Sequence, residues 1–129
     1  MKKILFIVLL NCLIFLSCRK APVIANLPIT GRWTQIETLT DPGDGNGKWM
    51  PVSTPDYYFI KFEPGDSVES NISRGSGNIS KYKIVTDSTL YLIYAESDTV
   101  SYFYKIKGNI LTLEGGCYER CGMKFEKDR

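Results

Sequence analysis

The chain contains no histidine in 129 residues. Histidine is the commonest general base near neutral pH and a leading ligand for zinc and other transition metals. Its absence disfavours Ser-His-Asp chemistry and metal-dependent hydrolysis. No pair of carboxylates is placed for acid–base work either, so we assign no catalytic residue, no metal ligand and no cofactor. The sequence therefore predicts a protein that is not an enzyme.

A basic block and a helical pattern are also missing. The chain has 16 Lys+Arg and 14 Asp+Glu, and two of those cations are Lys2 and Lys3 at the very start. Without these two residues the charges balance, so nucleic-acid binding has no electrostatic basis. No stretch carries a sustained 3.6-residue apolar period, which argues against a helical fold.

The one long hydrophobic run, Ile4 to Leu16, is shorter than the roughly 20 residues that a transmembrane helix requires. A basic start followed by an apolar run of about 7–15 residues is typical of a secretory signal. The residues Phe15-Leu16-Ser17 before Cys18 resemble the lipobox of bacterial lipoproteins. The resemblance implies cleavage before Cys18 and acylation of its new N-terminus. An ordinary signal peptide with an incidental cysteine is the alternative.

This resemblance divides the chain into three parts. Residues 1–17 form the signal peptide, residues 18–29 the lipidated N-terminus and its tether, and residues 30–129 a single folded domain. Acyl chains on Cys18 would hold the protein on a membrane, because two or three chains anchor far more firmly than one. In many Gram-negative lipoproteins an Asp directly after the cysteine signals inner-membrane retention, so Arg19 at that place indicates the outer membrane. Some such bacteria use an acidic run after the cysteine for surface display, and the basic Arg19-Lys20 therefore favours the periplasmic face.

Short alternating runs, rich in aromatic and β-branched residues, predict about eight β-strands in residues 30–129. Turn signals such as Pro64-Gly65-Asp66 and Gly108-Asn109 separate them. The predicted strands are residues 32–39, 57–63, 67–72, 79–85, 89–95, 99–107, 110–114 and 123–127. Tight turns between them describe an all-β, antiparallel up-and-down meander, which closes into a small barrel to remove exposed edges. An open sheet or small sandwich is the alternative.

Gly31-Arg32-Trp33 opens the first predicted strand. This Gly-x-Trp resembles the start signature of lipocalins, in which the tryptophan plugs the closed end of an eight-stranded barrel. Together with Phe62-Glu63-Pro64-Gly65-Asp66, Tyr82-Lys83-Ile84 and Tyr104-Lys105-Ile106, the pattern over residues 29–127 is similar to short lipocalin-like lipoproteins of Gram-negative bacteria. The resemblance implies a lipocalin-like barrel.

Alternation along the strands places a set of aromatic side chains on the inner face. These residues are Trp33, Tyr58, Phe62, Tyr82, Tyr102 and Tyr104. They either fill a small barrel or line a pocket for a small apolar ligand, with tyrosine hydroxyls fixing its orientation.

Another envelope protein is the alternative partner to a small ligand. The fifth predicted strand is apolar on both faces, so it is either covered twice or presents Tyr91 and Ile93 to a partner. The long connection from Asp41 to Pro55, which carries Trp49, is the second surface that a partner protein would use.

The chain has four cysteines, of which Cys12 leaves with the signal peptide and Cys18 is acylated. Cys117 and Cys121 remain as a pair in an oxidising compartment. On one extended strand they would lie about 13 Å apart, whereas a disulfide requires Cα atoms about 5.5–6 Å apart. A disulfide that staples the last hairpin therefore requires residues 116–122 to curl back. A redox site and a thiolate metal site are the alternatives.

Overall fold

The computed structural model describes residues 29–129, which form an antiparallel β-sheet of ten strands without a helix. The strands are β1 (Gly31–Thr40), β2 (Lys48–Pro51), β3 (Phe59–Phe62), β4 (Val68–Ser70), β5 (Ser73–Arg74), β6 (Gly77–Ile84), β7 (Thr89–Tyr94), β8 (Thr99–Lys107), β9 (Ile110–Glu114) and β10 (Gly122–Lys127). The predicted signal peptide, Cys18 and most of the predicted tether lie outside the described residues.

The eight predicted strands correspond to β1, β3, β4 and β6 to β10. The bounds of the sixth and seventh predictions coincide with β8 and β9. Two short strands, β2 and β5, are additional, and each folds back on a neighbouring longer strand as a hairpin. Alternation and turn chemistry therefore located every long strand.

β1 joins the first and last strands of the chain in one sheet, because it pairs with β10 on one side and with β3 on the other. The strand order is β4-β3-β1-β10-β9-β8-β7-β6-β5, and β2 pairs with β1. The segment just before β4 meets β6 where the backbone N–H of Tyr82 donates to the carbonyl of Asp66 at 2.8 Å, and where Ser67 forms a single bridge with Lys81. The result is a nearly closed barrel with one unsealed seam. This confirms the predicted all-β antiparallel barrel and fits a lipocalin-like architecture.

One end of the barrel, which we call the closed end, is sealed by aromatic side chains. Ile29 lies there, together with the turns at residues 63–67, 85–88 and 108–109. Three aromatic side chains donate to backbone carbonyls at this end: Trp33 to Ile29 at 2.7 Å, Tyr82 to Glu63 at 3.1 Å and Tyr104 to Thr86 at 3.5 Å. The described chain thus enters its barrel at the sealed end.

The body of the barrel is a packed core rather than a calyx. The side chains with less than 2 % exposure are Trp33, Tyr94, Phe62, Phe125, Ile29, Leu39, Ile60, Leu90, Leu92, Leu111 and Leu113. Trp33, Ile60 and Leu92 have zero exposure, so no water-sized void touches them within the described barrel. Burial of each such side chain contributes about 1.5–3 kcal/mol. Filling by large side chains is what eight strands allow.

Tyr58 is the predicted interior residue that the structure places elsewhere. β3 begins only at Phe59, and Tyr58 is 38 % exposed. The side chain of Asn71 sets this boundary, because it accepts from the backbone N–H of Phe59 at 2.8 Å and donates to the carbonyl of Tyr57 at 2.6 Å. The Tyr58 ring packs edge-on against Tyr57, with centroids 4.9 Å apart. The prediction that Tyr58 faces the interior is therefore wrong.

The outer face of β7 is partly covered. Tyr91 and Ile93 are half-buried there, opposite Lys83 and Lys81 of β6 in the strand register. Lysine stems commonly lie along apolar surface while their ammonium groups stay in water. The outer apolar residues of β7 are thus less displayed than their sequence indicates.

Gly122, the first residue of β10, has no room for a side chain. A Cβ atom there would lie 2.7 Å from the carbonyl oxygen of Leu113 and 3.0 Å from the ring of Trp49. Gly122→Ala is therefore expected to push β10 from β9 and to lower the free energy of unfolding by about 1–3 kcal/mol, as measured by urea titration. Gly75→Ala is the matched control, because nothing lies within 4 Å of its Cβ position. Equal unfolding midpoints for the two variants would contradict this account.

Candidate functional site

The end opposite the closed end holds a cavity of about 280 Å³, which we call the mouth cavity. It lies between the segment that contains β5 and the loop that joins β9 to β10. Its apolar lining comes chiefly from Leu39, Ile72 and Met123. Tyr94 and Tyr102 line it from within the barrel. The sequence predicted a possible ligand pocket inside the barrel. The structure has a cavity at the rim of the barrel instead, and the body of the barrel is filled.

The roof of the mouth cavity is the loop between β9 and β10, closed by the disulfide Cys117–Cys121. The two Cα atoms lie 6.4 Å apart, which confirms the predicted staple. Gly115 and Gly116 both have positive φ angles, +117° and +84°, and glycine adopts such angles readily. The backbone N–H of Gly115 donates to the carbonyl of Cys121 at 3.0 Å, which closes the turn. The roof is thus fixed by a covalent bond and by backbone geometry.

Removal of this disulfide is expected to destabilise the barrel modestly. A closed loop of about five residues corresponds to roughly 2 kcal/mol in the chain-entropy account. The double variant Cys117→Ser/Cys121→Ser should lose about that free energy of unfolding in guanidinium titration, and reductant should produce the same loss in the unaltered chain. Reductant added to the double variant is the control and should change nothing. An unaltered midpoint after complete reduction would contradict the assignment of a stabilising role.

Two tyrosine hydroxyls meet beneath the mouth cavity. The hydroxyl oxygens of Tyr94 and Tyr102 lie 3.4 Å apart, and the residues are only 1 % and 5 % exposed. Burial raises the pKa of Tyr94 well above its ordinary range, the hydrogen bond to Tyr102 adds to the rise, and the nearby Arg74 opposes it. The Tyr94 hydroxyl therefore stays neutral at physiological pH and contributes a weakly polar group to an apolar floor.

Arg74 spans the opening of the mouth cavity. Its Nη1 donates to the carbonyl oxygen of Gly116 at 2.8 Å, although 42 residues separate the two in sequence. Within residues 29–129 it forms no salt bridge with any carboxylate. A guanidinium thus lies at the edge of an apolar cavity, with the carbonyl of Gly116 and the hydroxyl of Tyr94 as its neutral partners.

Most of the predicted interior aromatics are core residues. Trp33, Phe62 and Tyr82 are buried in the body of the barrel, where the rings of Phe62 and Tyr82 meet edge-to-face with centroids 5.0 Å apart. Tyr104 is half-buried near the closed end, and Tyr102 alone of this set lines the mouth cavity. The structure therefore does not bring the predicted residues together as one ligand site.

The sequence prediction missed most residues of the mouth cavity, among them Tyr94 and Arg74 with their polar groups. Tyr94 belongs to the fifth predicted strand, whose apolar residues on both faces gave no reason to choose one of them. Arg74 lies in a Gly/Ser-rich segment that reads as a loop, and its hydrogen bond to Gly116 is a long-range contact. No local pattern marks either residue as part of a site.

A second candidate site, the outer groove, runs across the outside of β8, β9 and β10 with a volume of about 450 Å³. Its lining residues are Trp49, Phe103, Tyr104, Lys105, Thr112, Glu114 and Lys124. Phe103 is 71 % exposed. Trp49 is half-buried, with the Lys124 ammonium 4.2 Å from its ring centroid, and Lys124 also pairs with Glu37. In the groove, Phe103 is therefore exposed to solvent, whereas Trp49 is partly covered by Lys124.

The Gly-rich connection before Trp49 is a structured turn. Oδ1 of Asp41 accepts hydrogen bonds from the backbone N–H groups of Gly43, Asp44 and Gly45 at 2.9, 3.2 and 3.1 Å. Asp side chains favour such turns because they bond to the nearby backbone. These bonds satisfy the carboxylate of Asp41, which is buried. After the turn, β2 pairs with β1.

Among residues 29–129, no three His, Cys, Asp or Glu side chains lie close enough to hold a metal ion. Nor does this range contain a helix of the length and apolarity that would cross a membrane.

Comparison of the chain with protein-family models, with curated proteins and with solved structures finds no match. The functional interpretation therefore rests on the mouth cavity and the outer groove.

Proposed function

We propose that this chain is a lipid-anchored, non-catalytic lipocalin-like lipoprotein of the bacterial cell envelope that binds a small apolar ligand in its mouth cavity. The observation that carries the proposal is the cavity itself, an apolar space of about 280 Å³ at the rim of an otherwise filled barrel. Ligand pockets generally measure about 300–1,000 Å³ and combine apolar walls with a few polar groups. The mouth cavity, at about 280 Å³, lies just below that range, which favours a small ligand.

The position of the cavity suits a tethered binding protein. The described chain begins with Ile29 at the closed end, so a tether from Cys18 enters there. The mouth cavity lies at the opposite end of the barrel and would face away from the anchoring membrane. A ligand would then exchange with the periplasm without passing the bilayer surface.

Native mass spectrometry tests this proposal on residues 19–129, exported behind a cleavable signal without a lipid-attachment cysteine and purified without detergent. We expect a population that carries a bound small molecule, together with binding of the apolar fluorophore N-phenylnaphthylamine. Ser73→Trp, which places a ring at the cavity lining, should abolish both signals. Ser76→Trp, in the same loop but outside the lining, is the control. An unliganded mass together with no fluorophore binding would contradict the proposal.

The outer groove favours a second candidate function, which is binding of another envelope protein. Its supporting observation is Phe103, a large aromatic side chain that is 71 % exposed on the outside of a filled barrel. A photo-crosslinking residue at position 103 should capture a discrete partner in intact envelopes. The same residue at position 118, where Tyr118 is fully exposed outside the groove, is the control. Identical crosslinking patterns at the two positions would contradict this candidate.

A further inference from the structure

The bond that Arg74 makes at the mouth cavity is one that an anion would replace. Its Nη1 donates to a neutral carbonyl, that of Gly116, at 2.8 Å. A guanidinium carries five N–H donors in a planar fork, and a carboxylate offers it an opposite full charge and two parallel hydrogen bonds, whereas a carbonyl offers one neutral oxygen. An incoming carboxylate would therefore be a better acceptor than the Gly116 carbonyl.

Two acidic side chains near the rim have other partners. Glu114 pairs with Arg120 at 3.6 Å, and Asp98 accepts a hydrogen bond from the Ser76 hydroxyl at 3.0 Å. Arg74, in contrast, forms no salt bridge within the described barrel. No carboxylate of the described barrel thus pairs with its guanidinium, which favours a ligand with one negative charge.

The rest of the mouth cavity is suited to an apolar group. Leu39, Ile72 and Met123 form its walls, and the rings of Tyr94 and Tyr102 form its floor. A second charge on the ligand would lie against these side chains without a partner, at a cost of several kcal/mol. The cavity volume of about 280 Å³ limits the apolar part to a short chain or a single ring system.

From these observations we infer that the ligand of the mouth cavity is a small apolar monocarboxylate, whose carboxylate binds Arg74 in place of the Gly116 carbonyl. The inference rests on the proposed ligand-binding function and names its chemical class. Arg74 confers head-group specificity, and the apolar walls supply most of the contact area. The neutral Tyr94 and Tyr102 hydroxyls lie below and add no competing charge.

Calorimetry with three ligands of equal chain length tests the inference on residues 19–129. Octanoate should bind at least about tenfold more tightly than octanol, since a hydrogen bond to a charged group contributes about 1.5–3 kcal/mol. Octylamine should not bind measurably, because its ammonium would face the guanidinium. Arg74→Gln should remove the octanoate preference and leave octanol binding unchanged, and Arg74→Lys should retain part of it. Arg120→Gln is the matched rim control and should leave the preference intact.

The outcomes distinguish a failure of the carboxylate assignment from a failure of the proposed ligand-binding function. Equal affinities for octanoate and octanol, unchanged in Arg74→Gln, would overturn the carboxylate assignment and leave apolar-ligand binding in place. No binding of any of the three ligands, with no fluorophore binding, would count against the ligand-binding function itself. Thermal midpoints of the Arg74 variants should equal that of the unaltered chain, because the side chain is exposed. Loss of octanol binding in a folded Arg74→Gln variant would contradict a purely head-group role.

Discussion

Trp33→Ala is expected to lower the free energy of unfolding by about 3–5 kcal/mol. Trp33 has zero exposure and is among the largest side chains of the core. Its indole N–H donates to the carbonyl of Ile29 at 2.7 Å, so the ring both fills the closed end and holds the incoming chain. Loss of the ring would leave a cavity in a core that cannot collapse, because backbone pairing fixes the surrounding strands. Such a loss is a large share of the roughly 5–15 kcal/mol that stabilises a typical domain.

Urea titration followed by circular dichroism measures this loss. Trp33→Phe should lose less, because it keeps a buried ring and removes only the indole hydrogen bond and part of the ring volume. Trp49→Ala is the matched control, since the chain has only two tryptophans and Trp49 is half-buried on the outside. Equal losses for Trp33→Ala and Trp49→Ala would contradict the assignment of Trp33 as the plug of the barrel.

The long strands were predictable because their signals are local. In β8 and β9, apolar and polar residues alternate on either side of Gly108-Asn109, and the turn fixes where both strands end. The place of Trp33 at the closed end was predicted from the resemblance of Gly31-Arg32-Trp33 to the lipocalin start signature. Closure of the barrel was predictable from edge avoidance, although the register of β1 against β10 was not.

The remaining features depend on contacts between distant residues. The pairing of β1 with β10 has a register shift between Gln35 and Glu37, and β1 pairs with β2 from Glu37 onward. Tyr58 fits the alternation of its predicted strand, yet the Asn71 side chain makes β3 begin at Phe59, two residues after the predicted start. β5 is two residues long, which is too short to show a period. Tyr94 and Arg74 are of this kind, because Tyr94 meets Tyr102 of another strand and Arg74 bonds to Gly116 in a distant loop.

Cys18→Ala is expected to abolish incorporation of labelled palmitate into the protein and to leave residues 1–17 attached. The expectation follows from the resemblance of Phe15-Leu16-Ser17-Cys18 to a lipobox. Acyl transfer requires the thiol of that cysteine, and cleavage in bacterial lipoproteins follows acylation. Intact-mass measurement of envelope fractions would show the uncleaved chain without acyl groups. The apolar run Ile4 to Leu16 would keep this precursor membrane-associated, so labelling and mass, rather than solubility, are the decisive measurements.

Cys12→Ala is the matched control, because it removes a cysteine from the same apolar run without touching the cleavage site. It should keep full palmitate labelling and the mature mass. Labelling that persists in Cys18→Ala, or is lost in Cys12→Ala, would contradict the anchor. If Cys18 is acylated, residues 19–129 exported behind a different signal should appear in the soluble periplasm, since each acyl CH₂ contributes about 0.8 kcal/mol of membrane affinity. The anchor would then set where the mouth cavity meets its ligand, and the barrel alone would decide which ligand it takes.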